Sequence, residues 1–319
     1  MTISRTVSAN AALSFVAVCL VAALAACSDS TSTSTVPAGP GVWATINVNL
    51  VPAEGTVAAH TSVAAFAKDA PPLPDSSTAT ATVGDCKLIP TSPACSATCA
   101  TDESCVAKDT CQKTPMSVTM GDLSFTGLQL AAGGTNFTLS PIGTTYATAG
   151  ATDVAYPGCS AGQTVTVAGG ADADTAFSLK TTCIDSLVVT SVAPIPFESG
   201  KAAHLTWTPQ TTGTARVTVR IDISHHGGLK GLIVCDTADS GTLNVDASLV
   251  KGLIDLGTAG YPVIRLARLS TATAAAGSGK ATLNIQSTVE VPLAVPGVRS
   301  CDDDSACDTG QACVALKCQ

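Results

Sequence analysis

Twelve of the fourteen cysteines lie between Cys86 and Cys318, and no two of them stand in a Cys-x-x-Cys pair. They are Cys86, Cys95, Cys99, Cys105, Cys111, Cys159, Cys183, Cys235, Cys301, Cys307, Cys313 and Cys318. An even number in an exported chain reads as a disulfide framework, whereas zinc sites want Cys-x-x-Cys or paired His at short spacing, which this sequence lacks. Each native bridge of this kind contributes about 2–5 kcal/mol. That supplement matters here, because only 3% of the residues are aromatic. The same spacing argues against a redox role, since Cys-x-x-Cys is the arrangement that lowers a thiol pKa. The counts also constrain the pairing. Five cysteines fall in Cys86–Cys111, three in the region from Cys159 to Cys235 and four in the tail. If the tail closes on itself, two odd counts require a bridge between the first group and the second, and Cys86 is the natural candidate.

Export is written at the N-terminus. Arg5 precedes an apolar run from Ala11 to Ala26, too short to span a bilayer comfortably, and the run ends Leu24-Ala25-Ala26-Cys27. This resembles a bacterial lipoprotein signal, which implies cleavage before Cys27 and attachment of diacylglycerol to its sulfur. Residues 1–26 are then a signal peptide and 27–41 a Ser/Thr/Pro/Gly tether holding the folded part off the lipid. Ser28 after Cys27, rather than Asp, favours the outer membrane under the sorting pattern of that class, on either its surface or its periplasmic face. Removing residues 1–26 takes away Arg5 and no acidic residue, so the formal charge goes from -8 to about -9. An acidic chain of this kind excludes nucleic acid as a partner and gives no polybasic membrane contact. The partners expected are the membrane, through the lipid, and a protein or glycan ligand. No cofactor is expected.

Strand periodicity dominates the rest. Val42, Ala44, Ile46, Val48 and Leu50 alternate with polar neighbours, and Thr61–Ala67 follows as a second strand. The cysteine-dense stretch Cys86–Cys111 has little apolar period and reads as a disulfide-knotted insert spanning 68–112. Strand patterns return at Ser117–Met120, Leu123–Leu130, Asn136–Leu139, Gln163–Val167 and Ala176–Thr182, and again at Ala215–Ser224 and Gly279–Val291. Asp246–Leu256 carries Leu249, Leu253 and Ile254 at helical spacing. The expected fold class is all-β: a β domain over 42–184 holding the insert, an immunoglobulin-like sandwich over 185–298, and a Cys-rich module over 299–319.

The tail has the form C-x5-C-x5-C-x4-C, and Cys99–Cys111 is a shorter echo of it. With the Leu24–Cys27 signal, Leu205-Thr206-Trp207-Thr208 and Ile233-Val234-Cys235, the chain resembles cysteine-rich bacterial surface lipoproteins with Ig-like β domains. That resemblance implies no activity and carries over no catalytic residue.

Candidate chemistry is sparse. Gly158-Cys159-Ser160-Ala161-Gly162 matches the G-x-S-x-G nucleophile elbow, but a strand pattern follows where a helix is required. Asp239-Ser240-Gly241 and Asp308-Thr309-Gly310 echo aspartic proteases, yet read as turns. His225-His226 sits at a hairpin tip before Gly227-Gly228, and adjacent strand residues face opposite ways. Asp302-Asp303-Asp304 lacks the alternating oxygens of a calcium loop. Trp43 and Trp207 are candidate glycan platforms, although Trp207 suits a sandwich core equally. The expected function is therefore a non-enzymatic binding, adhesion or structural role in the cell envelope. The alternative is a hydrolase or accessory subunit with its site in a β-domain loop.

Overall fold

The computed structural model describes residues 41–73, 78–91, 95–149 and 152–319. The signal-like segment, Cys27 and the tether up to Pro40 lie outside these residues. In chain order the strands are β1 (Trp43–Val51), β2 (His60–Lys68), β3 (Ala81–Val83), β4 (Cys86–Pro90), β5 (Glu103–Ala107), β6 (Thr110–Lys113), β7 (Ser117–Val118), β8 (Leu123–Thr126), β9 (Asn136–Leu139), β10 (Thr145–Ala147), β11 (Thr164–Gly169) and β12 (Phe177–Thr182). They continue as β13 (Ile195–Pro196), β14 (Ala203–Thr206), β15 (Arg216–Asp222), β16 (Gly231–Ala238) and β17 (Thr242–Val245). After helix α1 (Ala247–Asp255) come β18 (Val263–Ala276), β19 (Gly279–Ala294), β20 (Cys313–Val314) and β21 (Lys317–Cys318). The protein is all-β in class, as the alternation implied. Among the described residues no helix is long and apolar enough to cross a membrane.

One large sheet, ordered β10-β2-β1-β19-β18-β15-β16-β4-β3, forms the backbone of the molecule. Its axis is the hairpin β18–β19, paired without a break from Val263↔Pro292 to Ala276↔Gly279. β1 adds to β19 in parallel and β2 returns antiparallel, while β15 and β16 extend the other side. Alternation sends one set of side chains outward to water and the other inward, where a second layer covers them.

That second layer makes two cores under one sheet. The four-stranded sheet β12-β11-β8-β9 covers β1, β2 and the lower half of the hairpin, so Phe125, Val165, Val167 and Leu179 cluster with Ile46, Val48, Leu283 and Ile285. The pair β14–β17 and α1 cover β15, β16 and the upper half, joining Leu205, Trp207, Val245, Leu249 and Leu253 to Val219, Ile221, Leu266 and Val291. α1 forms where expected, capped by Asp246, whose side chain accepts from the Ser248 N–H and holds the free first-turn amide.

Between the cores runs a polar belt on the inner face of the hairpin. Ser270 and Thr181 share a hydrogen bond of 2.7 Å, and Ser287 Oγ accepts from the Leu187 N–H at 2.9 Å. Arg268, fully buried, is held by Asp239 through Nε at 2.8 Å and Nη2 at 3.3 Å. It also donates to the carbonyls of Asp185, Ser186 and Thr208. The same carboxylate accepts from Trp207 Nε1 at 2.6 Å and from the Gln210 N–H at 3.1 Å. Asp239 is thus the counter-ion of the belt.

The stretch expected as an insert over 68–112 divides in two. Ala81–Val83 and Cys86–Pro90 are the last two strands at one side of the large sheet, so the disulfide-knotted part is confined to Cys95–Cys111. Sequence periodicity missed β4 because only Cys86 and Leu88 turn toward the sheet's core side. Cys86 bonds Cys235 directly across the β4–β16 pair, the bridge that the odd counts required. Cys159 bonds Cys183.

Candidate functional site

At the upper end of the hairpin a cleft of about 460 Å3 opens on the outer face of the large sheet. Its floor is built by cross-strand register. Arg220 on β15 stands opposite Arg265 on β18, and Arg265 stands opposite Glu290 on β19. One step along, Asp222 faces Val263. The Arg265 guanidinium donates to Glu290 Oε2 through Nη2 at 2.9 Å and Nε at 3.3 Å. No ion pair or side-chain hydrogen bond reaches Arg220 among the described residues, and Arg220 is exposed. Two like charges opposite each other on a sheet face oppose pairing, and here only one of them has a counter-ion.

The wall is the β15–β16 loop, His225 to Leu229, and its shape follows from a network of short bonds. Asp222 Oδ1 accepts from both the N–H and the hydroxyl of Ser224, at 2.8 and 3.0 Å. Ser224 Oγ in turn accepts from the Lys230 N–H at 3.0 Å, closing the loop base. The His225 and His226 rings stand 3.9 Å apart, and His225 Nδ1 lies 3.7 Å from Asp222 Oδ2. Leu229 is 48% exposed at the rim and supplies an apolar edge.

A second loop braces that wall. The N–H of Ala259 donates to the Ile223 carbonyl and that of Tyr261 to the His225 carbonyl. Glycine is required on both sides of this contact. A Cβ on Gly227 would come within 2.4 Å of the Gly260 nitrogen, and one on Gly260 within 1.9 Å of the His225 oxygen. Gly260 also holds φ +55°, a left-handed value that suits glycine.

The C-terminal module is the strut behind that brace. Cys301 bonds Cys313 and Cys307 bonds Cys318, closing the tail on itself. The Gly260 N–H donates to the Ala315 carbonyl, the Ser300 hydroxyl to the Gly260 carbonyl and Lys317 Nζ to Thr258 Oγ1. Tyr261 donates its hydroxyl to Asp302, which raises the phenol pKa because the carboxylate holds the proton in place. The module near the insert has the same first-to-third, second-to-fourth pairing, with Cys95 to Cys105 and Cys99 to Cys111, and the same small hairpin. Sulfur atoms of Cys95, Cys99 and Cys111, and of Cys301, Cys307 and Cys318, crowd within 4.8 Å of one another. Their proximity comes from stacked cystines, and a sulfur committed to a disulfide is not the thiolate a metal binds.

The other residues singled out from sequence are scattered. Ser160 is exposed in a turn, its N–H donating to Gln163 Oε1, with strand β11 directly behind it and no histidine among its hydrogen-bond partners in the described residues. Asp239 lies in the buried belt and Asp308 pairs with Arg299 on the surface, so the two Asp-Ser/Thr-Gly triplets do not converge. Asp302, Asp303 and Asp304 are spent separately: on Tyr261, on the Ser305 N–H and on the Cys313 N–H. The Ser305 bonds also lower the Asp303 pKa. Trp207 is buried. Trp43 lies beside Phe66, Lys68 and Lys280 in a shallow hollow at the opposite end of the sheet.

His225 and His226 were legible as a hairpin tip, but Arg265, Glu290 and the cleft were not. For Arg265 the reason is Arg268. Inward positions of β18 read Ile264, Leu266, Arg268, Ser270, so a buried cation breaks the alternation that would have revealed the strand. The signal available was the outward charge pattern Arg220, Asp222 on the strongest strand. Comparison with family models and with curated proteins returns no match, so the site rests on this chain's own chemistry.

Proposed function

We propose that this is a cysteine-rich envelope lipoprotein, anchored through Cys27, that presents the cleft of Arg220, Arg265 and Glu290 for non-enzymatic binding at the outer membrane. The observation that carries this reading is polarity along the hairpin. The chain enters the folded part at Gly41, which bridges Gly277 at the β18–β19 turn, while the cleft lies at the Val263–Pro292 end. Fourteen residues of β18 separate the two ends, about 40 Å at the usual strand rise. A tether entering at Gly41 is compatible with a cleft end remote from the lipid, and that arrangement supports the reading. Six disulfides support service outside the cytosol, where such bonds persist.

The test is fractionation of cells expressing the chain or Cys27→Ser, grown with a radiolabelled fatty acid. The reading expects label and membrane association in the parent and neither in Cys27→Ser. An unlabelled parent chain, or a membrane-bound Cys27→Ser, overturns it.

A further inference from the structure

The geometry points to the cleft as the binding site for a sugar acid, a glycan unit carrying one carboxylate, with Arg220 receiving that carboxylate. This deepens the reading of the protein as a binder and rests on it. Three observations carry it. First, Arg220 is a guanidinium without an ion-pair partner among the described residues, in cross-strand register with a second arginine whose charge is already matched by Glu290. A planar fork of donors suits a carboxylate, and a bound carboxylate would relieve the Arg220–Arg265 repulsion.

Second, the cleft suits a ligand of low negative charge, because Arg220 and Arg265 share the lining with Asp222 and Glu290 and the four sum to no net formal charge. A dianionic phosphate would meet two carboxylates as well as two guanidinium groups, and a polyanion would meet a chain of formal charge -8. A monocarboxylate needs only Arg220.

Third, the remaining lining fits a sugar ring. Asp222 Oδ2 and Glu290 offer acceptors for hydroxyl groups, and Leu229, Leu232 and Val263 offer apolar area for C–H faces. A smaller hollow of about 200 Å3 shares His225, Val263 and Glu290 with the cleft and continues it past Tyr261 and Pro292. The unit can therefore end a longer glycan.

Calorimetric titration of the full chain, with disulfides formed, decides this. The probes are glucuronate, a disaccharide with glucuronate at its non-reducing end, glucose, acetate and glucose 6-phosphate. Saturable binding is expected for glucuronate or the disaccharide, with about ten-fold weaker binding or less for glucose and acetate. Preference for the disaccharide identifies a glycan terminus as the source, and preference for glucuronate a free sugar acid. Arg220→Gln should lose about ten-fold or more in affinity with an unchanged melting curve, since its side chain is exposed. Arg216→Gln, on the same strand outside the cleft, should bind like the parent.

Binding by neither acid, equal binding of glucose, acetate as good as the sugar acids, tighter glucose 6-phosphate, or an unaffected Arg220→Gln each overturns the proposal. None of these results touches lipidation, which the fractionation reads separately.

Discussion

Removing Asp239 should damage this protein more than removing any surface charge, and the size of the effect can be worked from its contacts. The carboxylate accepts from Arg268 Nε and Nη2, from Trp207 Nε1 and from the Gln210 N–H, and the side chains of Asp239 and Arg268 are 6% and 2% exposed. In Asp239→Ala the Arg268 Nη groups keep the carbonyls of Asp185, Ser186 and Thr208, but Nε loses its acceptor and the buried charge loses its counter-ion. Trp207 Nε1 is orphaned as well. Each buried donor left unmatched costs about 1–3 kcal/mol, and these losses overlap with the loss of the ion pair, so the total is that of breaking a buried pair, about 3–5 kcal/mol.

Charge complementarity should show as coupling. The double variant Asp239→Leu/Arg268→Met removes both charges and should cost less than Asp239→Ala alone, because no uncompensated cation stays buried. Urea unfolding with disulfides intact, followed by tryptophan fluorescence, reports both numbers, and Trp207 sits on the affected carboxylate. Asp236→Ala is the comparison. Its ion pair with Arg216 is more than half exposed on both sides, so less than about 1 kcal/mol is expected. An Asp239→Ala cost as small as that of Asp236→Ala would refute the belt as a structural element.

Replacing Cys86 and Cys235 by Ala should destabilise by up to about 5 kcal/mol on the chain-entropy account, since the bridge closes a separation of 149 residues, measurable in the same urea series. Asp246 caps α1, and its bonds to Ser248 hold its carboxyl below the usual carboxylate range. Its stabilising contribution is present above the unfolded-state pKa and is lost as pH falls through the lowered folded-state value, so α1 amides should exchange faster at strongly acid pH and Asp246→Ala should remove that dependence. Gly260→Ala should part the two loops at the cleft wall. Faster hydrogen exchange at the Tyr261 and Ala259 amides, with β1 and β19 unchanged, is the expected signature.

Much of the fold was legible because its inward positions are apolar at period two: β1, β2, β9, β12, β15 and β19 follow their patterns, and α1 follows Leu249, Leu253 and its Asp246 cap. Where inward positions are polar, the pattern fails. β18, the longest partner of β19, hides behind Arg268 and Ser270, and with it went Arg265 and the row that makes the cleft. Pairings far apart in sequence leave no local trace either. Nothing near Trp43 announces that β1 lies in parallel against β19, and that pairing is what joins two cores beneath one sheet.

The proposed function expects the cleft end to face away from the membrane. Antibody fragments raised against the 225–229 loop, applied to intact cells and to cells with the outer membrane opened, test it most directly. The account predicts that intact cells, or failing surface display, opened cells, bind the fragment with the chain still membrane-anchored. Binding only after the chain is released from its membrane by detergent would place the cleft against the lipid and contradict the account.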